Sequence, residues 1–342
     1  MKTILLSFSL AFFSLTLFAQ NVLTVSNRSG ENAMYNNLQT AIDAAAAGDS
    51  IYITGSENNY GSVTIDKEVH LIGPGFNPQK DFSLQARLDN INFNANASNS
   101  SFSGLVLNMI ADSDGASGIR VTGCDFNTLF TGTNFQNRVS KEWLVANNII
   151  RQYLNNGSGS FYGSQQFIIR NNLFVNNGET FIRNFHDSII NNNLFTTHQA
   201  FTSVNLCIIY NNIFYGGSPL GATNSVFSNN ITYQTNNDAI PYGNNSGASN
   251  LVGVDPQFVN VPVNLGNLYA FNFSYEWDFS LAESSPGKNT GSDGADIGLF
   301  GGLGFTAGGE PALPVVTSFT IINAVINPNG KLNIQVEGRA NN

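Results

Sequence analysis

The chain has 342 residues, with 14 Lys plus Arg against 23 Asp plus Glu and a formal net charge of -9, so it carries no basic footprint for a phosphate backbone and nucleic acid is excluded as the expected partner. Charged residues make up only 11%, while 12% are aromatic and 33 are Gly, a composition that suits a β-rich chain with an apolar interior and glycine bends. Length alone would allow two domains; the repeats described below favour a single elongated one.

Residues 1–19 begin with Lys2 and continue as an apolar run to Ala19. This reads as a secretory signal peptide with cleavage near Ala19, which places the mature chain outside the cell or on its surface. The run is shorter than the ~20 residues of a membrane helix and no second run follows, so no transmembrane segment is expected. No Cys stands at the cleavage region, which argues against a lipoprotein anchor. Residues 38–47 then form an Ala-rich segment that predicts a short helix stopped by Gly48, with a strand at 51–54. A helix laid across the first coil is a natural cap for a stacked structure. Residues 63–75 alternate as strand, turn and strand and end in a Gly73-Pro-Gly75 corner.

Asp112-Ser-Asp-Gly115, with Asp125 one bend later, holds the nearest cluster of carboxylates. The spacing predicts a turn; a Ca²⁺ site is the alternative, and nothing else in the chain supports it.

From Trp143 onward one phrase is written repeatedly: Trp143-Leu-Val-Ala-Asn-Asn-Ile-Ile150, Phe167-Ile-Ile-Arg-Asn-Asn-Leu-Phe174, Ile189-Ile-Asn-Asn-Asn-Leu-Phe195, Cys207-Ile-Ile-Tyr-Asn-Asn-Ile-Phe214 and Ser225-Val-Phe-Ser-Asn-Asn-Ile-Thr232. The first asparagines, Asn147, Asn171, Asn192, Asn211 and Asn229, are 24, 21, 19 and 18 residues apart. A period of this length is the signature of a solenoid. Each phrase is a β-branched and aromatic run closed by a turn-forming pair, so each predicts a strand ending in a bend. Stacking puts Ile169, Ile190, Ile209 and Phe227 in one interior column and Phe174, Phe195 and Phe214 in another. The second asparagines, Asn148, Asn172, Asn193, Asn212 and Asn230, are expected to form an inward ladder, each amide bonding to its copy one coil away.

Arg183-Asn-Phe-His-Asp187 lies between two of these phrases and brings a cation, an imidazole and a carboxylate close in sequence. Converging on one face, they could act as neutraliser, base and orienter; as a solvated bend they would do none of this. His70 sits in a strand and His198 in a bend, and no metal-ligand spacing is present. Tyr153, Phe161, Tyr162, Tyr210, Tyr215 and Tyr233 fall in or near the coils, and any that point outward offer flat platforms for sugar rings. Tyr210 shares its frame position with Arg170, which predicts that it faces out. Cys124 and Cys207 stand several coils apart at about 4.8 Å per coil, beyond disulfide reach, and are expected to be small buried residues. No catalytic residue is assigned, and no cofactor or metal.

Beyond Gly302 the composition shifts: residues 304–314 read as a Gly/Pro linker, and 315–342 as two short strands around Asn327-Pro-Asn-Gly330. This hairpin is expected to cover the open C-terminal edge of the stack; the stub of a surface-sorting domain is the alternative.

The run Ala41-Ile-Asp-Ala-Ala-Ala-Ala-Gly-Asp-Ser-Ile-Tyr-Ile, followed by Val63-Thr-Ile-Asp-Lys and Leu71-Ile-Gly-Pro-Gly, resembles the opening coils of right-handed parallel β-helix proteins of the pectin-lyase-like superfamily. Asp255-Pro-Gln-Phe258, Asp278-Phe-Ser-Leu281, Ser285-Pro-Gly-Lys288 and Asp296-Ile-Gly-Leu-Phe-Gly-Gly302 resemble the closing coils of a secreted bacterial branch of unassigned activity, so the likeness covers residues 35–303. It implies an all-β fold: a right-handed parallel β-helix of three sheets, over residues 20–303, with an N-terminal helical cap and a short C-terminal β element. It also implies contact with polysaccharide or a cell-surface glycan along a lateral groove. The motifs of the catalytic members do not carry over. A pectate-lyase-like site needs clustered carboxylates on Ca²⁺ beside an Arg or Lys base, and a polygalacturonase-like site needs Asn-Thr-Asp, Asp-Asp, Gly-His-Gly and Arg-x-Lys on successive coils, none of which the chain contains. No convincing carboxylate pair for glycoside hydrolysis is visible. The expected function is therefore a secreted scaffold or adhesin-like module; the alternative is a polysaccharide lyase or glycoside hydrolase with a non-standard site. The oligomeric state stays open.

Overall fold

The structure, a computed structural model, describes residues 20–79, 84–131, 139–156, 164–175, 178, 180–262, 273–311, 313–322 and 331–339. The expected signal peptide, Phe161, Tyr162 and the turn at Asn327-Pro-Asn-Gly330 lie outside them.

Each repeated phrase forms a short strand that pairs in parallel with its counterparts one coil before and one coil after, so the coils stack as a parallel β-solenoid. The first sheet has ten strands, in spatial order Val22–Val25, Asp49–Ile53, Val69–Ile72, Ser101–Ser103, Arg120–Thr122, Leu144–Ala146, Ile168–Arg170, Ile189–Asn191, Ile208–Tyr210 and Val226–Ser228. The second runs from Val63–Ile65 to Leu251–Val252. Its strand Ile149–Asn156 pairs with two later strands, Leu173–Phe174 and Ile182–Arg183, so the sheet bends and divides into two branches there. A third sheet of four strands, Ser164–Gln165, Phe185–His186, Val204–Asn205 and Ala222–Thr223, completes the later coils.

The interior follows the expected columns. Ile169, Ile190, Ile209 and Phe227 are in register and fully buried. Phe174, Phe195 and Phe214 stack with centroids 4.6 and 5.2 Å apart and nearly parallel rings. Burying each such ring is worth up to about 3 kcal/mol, a term that no single coil could collect alone.

From the coil of Ser101–Ser103 onward, the turn from the first sheet to the second is made by one residue in the left-handed region: Asn147, Asn171, Asn192, Asn211 and Asn229 have φ of 61, 50, 54, 55 and 53°. Gly104, Gly123 and Ser249 occupy the same corner in flanking coils, at φ of 65, 61 and 61°. Asn and Gly reach this conformation at low cost, which explains the residue types. The next residue points inward. Asn148, Asn172, Asn193, Asn212 and Asn230 are fully buried, and each donates both its backbone N–H and its Nδ2 to the Oδ1 of the following rung at 2.9–3.1 Å. The second Nδ2 hydrogen goes to the carbonyl of Val121, Val145, Ile169, Ile190 or Ile209 one coil back, at 2.8–2.9 Å. Asn250 supplies a sixth rung, and at the other end the Oδ1 of Asn148 accepts from the backbone of Cys124.

Both ends of the stack are closed. The helix spans Leu38–Ala44, with the Asn37 Oδ1 accepting from Thr40 N at 2.9 Å and Leu38, Ala41 and Ile42 buried. Gln39 from this helix imitates the missing strand: its amide donates to Thr64 O (3.0 Å) and accepts from Thr64 N (2.8 Å) on the edge strand Val63–Ile65. Lys67 Nζ caps the helix by donating to the carbonyls of Ile42, Asp43 and Ala45. The strand Val22–Val25 ahead of the helix was not anticipated. At the far end, residues 234–250 fold over the last coil, bringing Ile240 and Tyr242 into the core and the Tyr242 ring 5.6 Å from Phe227.

Residues 255–302 do not supply the closing coils that the resemblance implied. Phe258–Asn260 and Asp278–Leu281 pair antiparallel with each other, and the chain then returns along the outside of the second sheet as a strap. Its Phe279, Leu281, Ile297 and Leu299 cover the outward column Ile149, Leu173, Leu194, Ile213 and Ile231. The corner asparagines grip this strap in reverse chain order. Asn229 Nδ2 donates to Thr290 O (3.2 Å), Asn211 exchanges two bonds with Ser292, Asn192 reaches Gly298 O, and Asn171 donates to Leu299 O and Gly301 O (2.9 and 2.8 Å). Asn147 Oδ1 accepts from Thr306 N. Where Gly123 replaces asparagine the strap comes closer still, and a Cβ there would stand 2.6 Å from Gly309 O.

The C-terminal strands Val315–Ile321 and Ile334–Arg339 pair antiparallel only with one another among the described residues. Residues 318–322 and 331–339 are exposed apart from the half-buried Ser318, so the stack end that this hairpin was expected to cover is filled by residues 234–250 instead.

Candidate ligand-binding face

With the strap lying over one branch of the second sheet, the other branch and the third sheet form a flank that the strap leaves uncovered among the described residues. On that branch Phe130, Asn155, Arg183 and Thr202 are in register on successive coils. The Arg183 guanidinium lies 4.5 Å from the centroid of the Tyr153 ring, and Phe130 meets the same ring edge-on at 5.5 Å. Arg183 Nε donates to Thr180 O, which fixes the guanidinium over the ring. Asn184, in the left-handed region at φ 62°, turns the chain onto the third sheet and ties the corner down through Nδ2 to Asn156 O at 2.8 Å.

Around that corner, Gln165, His186, Asn205 and Thr223 form an in-register column on the third sheet. Asn205 Oδ1 accepts from Thr223 Oγ1 (3.1 Å) and Asn224 Nδ2 (2.9 Å). Next to the column is an open pocket of about 580 Å³ lined by His186, Ser203, Asn205, Gly221, Ala222, Thr223 and Tyr242. The Tyr242 hydroxyl accepts from Ala222 N (2.8 Å) and donates to Pro219 O (2.9 Å), and burial pushes its pKa up, so it stays a neutral phenol. The lining thus combines imidazole, amide, hydroxyl and a fixed aromatic ring, with no carboxylate among the described residues. These are hydrogen-bonding groups for a polyhydroxylated ligand; general acid–base hydrolysis would need a pair of acids.

The triad read from Arg183, His186 and Asp187 is not assembled. Arg183 belongs to the second sheet and His186 to the third, while Asp187 is the exposed, left-handed corner residue that follows. Closeness in sequence here puts the side chains on adjoining sheets on either side of the Asn184 corner, without a contact between them among the described hydrogen bonds and ion pairs.

Asp112 is fully buried and closes the turn that its sequence predicted, accepting from the backbone of Asp114, Gly115 and Ala116 and from Ser140 Oγ. Burial raises its pKa despite these hydrogen bonds. Asp125 faces elsewhere: it takes a bidentate contact from Arg151 (2.6 and 2.7 Å) and the hydroxyl proton of Tyr275 (2.5 Å), which pins the strap. Among the described residues no group of three or more His, Cys, Asp or Glu is placed to hold a metal ion. Cys124 and Cys207 are free and buried, with burial pushing both thiols up to about 12, so they are unreactive near neutral pH. His70 bonds Ser101.

Of the tyrosines considered as platforms, Tyr153 stands on the uncovered flank. Tyr210 lies on the first sheet in register with Asn191, one coil beyond Arg170. Tyr215 is buried against Phe258 and Tyr233. Sequence reasoning missed the Tyr153–Arg183 contact, Asn205 and Tyr242. Loops of unequal length separate the first pair, and Tyr242 lies past the last repeated phrase.

No known protein family matches the chain, and no curated protein matches it.

Proposed function

We propose that this chain is a secreted, non-catalytic carbohydrate-binding solenoid that lays the flank from Tyr153 and Arg183 to His186, Asn205, Thr223 and Tyr242 against an extended glycan. The observation that carries this reading is the in-register polar column beside an aromatic-lined pocket. Its groups recur once per coil, about every 4.8 Å, a spacing commensurate with successive sugar rings of an extended chain. Tyrosine faces suit the C–H faces of sugars, and amides and hydroxyls suit their O–H groups. The net charge of -9 disfavours a polyanion at long range and so points to a neutral glycan. The apolar run of residues 1–19 supports export, and among the described residues no helix is long and apolar enough to cross a membrane.

The pectin-lyase-like likeness supports the same substrate class through the coil architecture alone. The second reading, a polysaccharide lyase or glycoside hydrolase with a non-standard site, rests on the imidazole of His186 in the pocket.

A panel of neutral and acidic polysaccharides, titrated calorimetrically, tests the proposal. Tyr153→Ala and His186→Ala should each weaken binding of the retained glycan about tenfold, the loss of roughly 1.4 kcal/mol; His186→Ala should leave the urea midpoint unchanged, while Tyr153→Ala should lower it slightly because the ring also packs on Phe130 and Arg183. Binding unaffected by both substitutions would move the site elsewhere, and new reducing ends or unsaturated uronate absorbance would replace the binding module with an enzyme.

A further inference from the structure

The chain has only 14 Lys plus Arg, and several of these are matched with acceptors. Arg28 pairs with Glu31, Arg151 with Asp125 and Lys288 with Asp296, while Lys67 caps the helix. The outward face of the first sheet breaks this pattern. Arg120 and Lys141 are exposed, and among the described residues neither side chain donates a hydrogen bond or meets a carboxylate. Arg170 is half-buried, and the hydrogen bond its guanidinium makes there goes to the Oδ1 of its chain neighbour Asn171 (3.2 Å).

Strand register places the two arginines together. Arg120 lies in one outward column, in register with Leu144, and Arg170 lies in the next, in register with Ala146, on the coils just before and just after. At ~4.8 Å per coil and ~3.3 Å per residue, their Cα atoms are about 12 Å apart. The small side chains of Thr122 and Ala146 fill the second column between them, so two extended arginines can converge there. From Ser101 and Ser103 to Val226 and Ser228 these two columns hold no carboxylate. Lys141 adds a third positive charge beside them, in register with Ser117 just before the corner that leads to Leu144. Glu142, at that corner with φ of 62°, forms no ion pair among the described residues.

This arrangement opposes folding rather than helping it. Burial first, and the charge of Arg120 second, hold the Arg170 pKa below the usual arginine range. Like charges that face each other without a counter-ion, in a chain whose 23 Asp plus Glu could supply one, are the mark of a functional site. Guanidinium is also the side chain that fits an oxyanion, through paired N–H donors. The net charge of -9 repels a polyanion at long range, but exposed charges are screened beyond ~8 Å at physiological ionic strength. A single oxyanion held between two arginines is therefore compatible with an acidic chain.

We propose that Arg120 and Arg170, with Lys141 beside them, form a binding site for one tetrahedral oxyanion, a sulfate or phosphate group. The site lies on the first sheet, apart from the flank assigned to glycan, and does not rest on that reading. The group is either a free ion or an ester on a sugar, and the same guanidinium contacts serve both.

Nuclear magnetic resonance of the mature chain, isotope-labelled in arginine alone, provides the test. Sodium sulfate or sodium phosphate replaces sodium chloride at constant ionic strength while the guanidinium signals are followed. Those of Arg120 and Arg170 should shift together and saturate on one curve, and those of the ion-paired Arg28 and Arg151 should stay still. Arg120→Gln and Arg170→Gln should each weaken anion binding by about tenfold or more, the loss of one charge-assisted contact. Both should keep wild-type circular dichroism, since Arg120 is exposed and Arg170 bonds its own neighbour, and Arg339→Gln should bind as the wild type does. A second titration, with a galactose sulfate ester and with galactose, identifies the source. An ester that binds as tightly as inorganic sulfate assigns the site to a substituted sugar; an ester that fails where the ion binds assigns it to the free ion. Signals of all arginines drifting alike without saturation, the behaviour of an adventitious ion only, overturn the proposal, as does saturable binding that survives both glutamine substitutions.

Discussion

Asn192 and Asn193 are neighbours in the chain, yet one grips the strap and the other holds the coils together. Asn193 is fully buried; it donates to Ile169 O and to Asn212 Oδ1, and its own Oδ1 accepts two bonds from Asn172, so it joins three successive coils. Asn192 is in the left-handed region at φ 54°, and its side chain leaves the corner toward Gly298, more than 100 residues away in the chain, at a separation of 106. The same division holds in the other coils with an asparagine pair. A single dipeptide therefore serves two ladders because its first residue makes the turn that sends the two side chains in opposite directions. Inner rungs tie coil to coil, whereas the outer rungs Asn171, Asn192 and Asn211, though equally buried, tie a coil only to the strap, so losing one frees the strap rather than uncoupling the coils.

The comparison is broken hardest at an inner rung. Asn193→Leu takes the shared Oδ1 acceptor from the buried Asn172 N and Nδ2 and removes the side-chain bonds to Ile169 O and Asn212 Oδ1, and should lower stability by about 3–5 kcal/mol. Urea unfolding should show it as a fall in midpoint, with a broader transition as the stack loses coupling between coils.

An outer rung should cost less, and locally. Asn171→Gly keeps the left-handed corner and removes the bonds to Leu299 and Gly301, for a loss of about 1–2 kcal/mol. Limited proteolysis should then cut residues 290–308 while the coils stay intact. Asn171→Ala should be worse by about a further 1 kcal/mol, the cost of placing a Cβ residue in that conformation.

The smallest effect is expected where the strap is held by a side chain of its own. Tyr275→Phe removes the hydroxyl that donates to Asp125 and should cost about 1 kcal/mol at neutral pH. Burial first, and the Asp125 carboxylate second, raise the Tyr275 pKa. A raised folded-state pKa means the stabilisation is fully present below the unfolded value of about 10 and is lost as pH rises toward the folded one. Protease release of the strap should therefore increase above about pH 10 in the wild type, and the Phe variant should lack that alkaline component.

The inner ladder was legible because a solenoid repeats its environment at a near-constant period, so residues that recur in frame recur in role. Asn148 to Asn230 and the Phe174 column follow from that alone. The strap was not legible: it meets Asn171, Asn192 and Asn229 through backbone carbonyls, which leave no side-chain signature, and its Gly-rich stretches read as coil bends. The candidate flank was half legible. Tyr153 and Arg183 were each singled out, but only the stacking of unequal coils brings them together, and the turn at Asn184 carries His186 away from Arg183 onto another sheet.

Hydrogen exchange on a chain carrying both Asn171→Gly and Asn211→Gly tests the division of labour most directly. The backbone amides of Asn172, Asn193 and Asn212 should keep their wild-type protection, while those of Ser292 and Gly298 in the strap exchange at least tenfold faster. Equal acceleration in coils and strap, or a strap as protected as before, would contradict it.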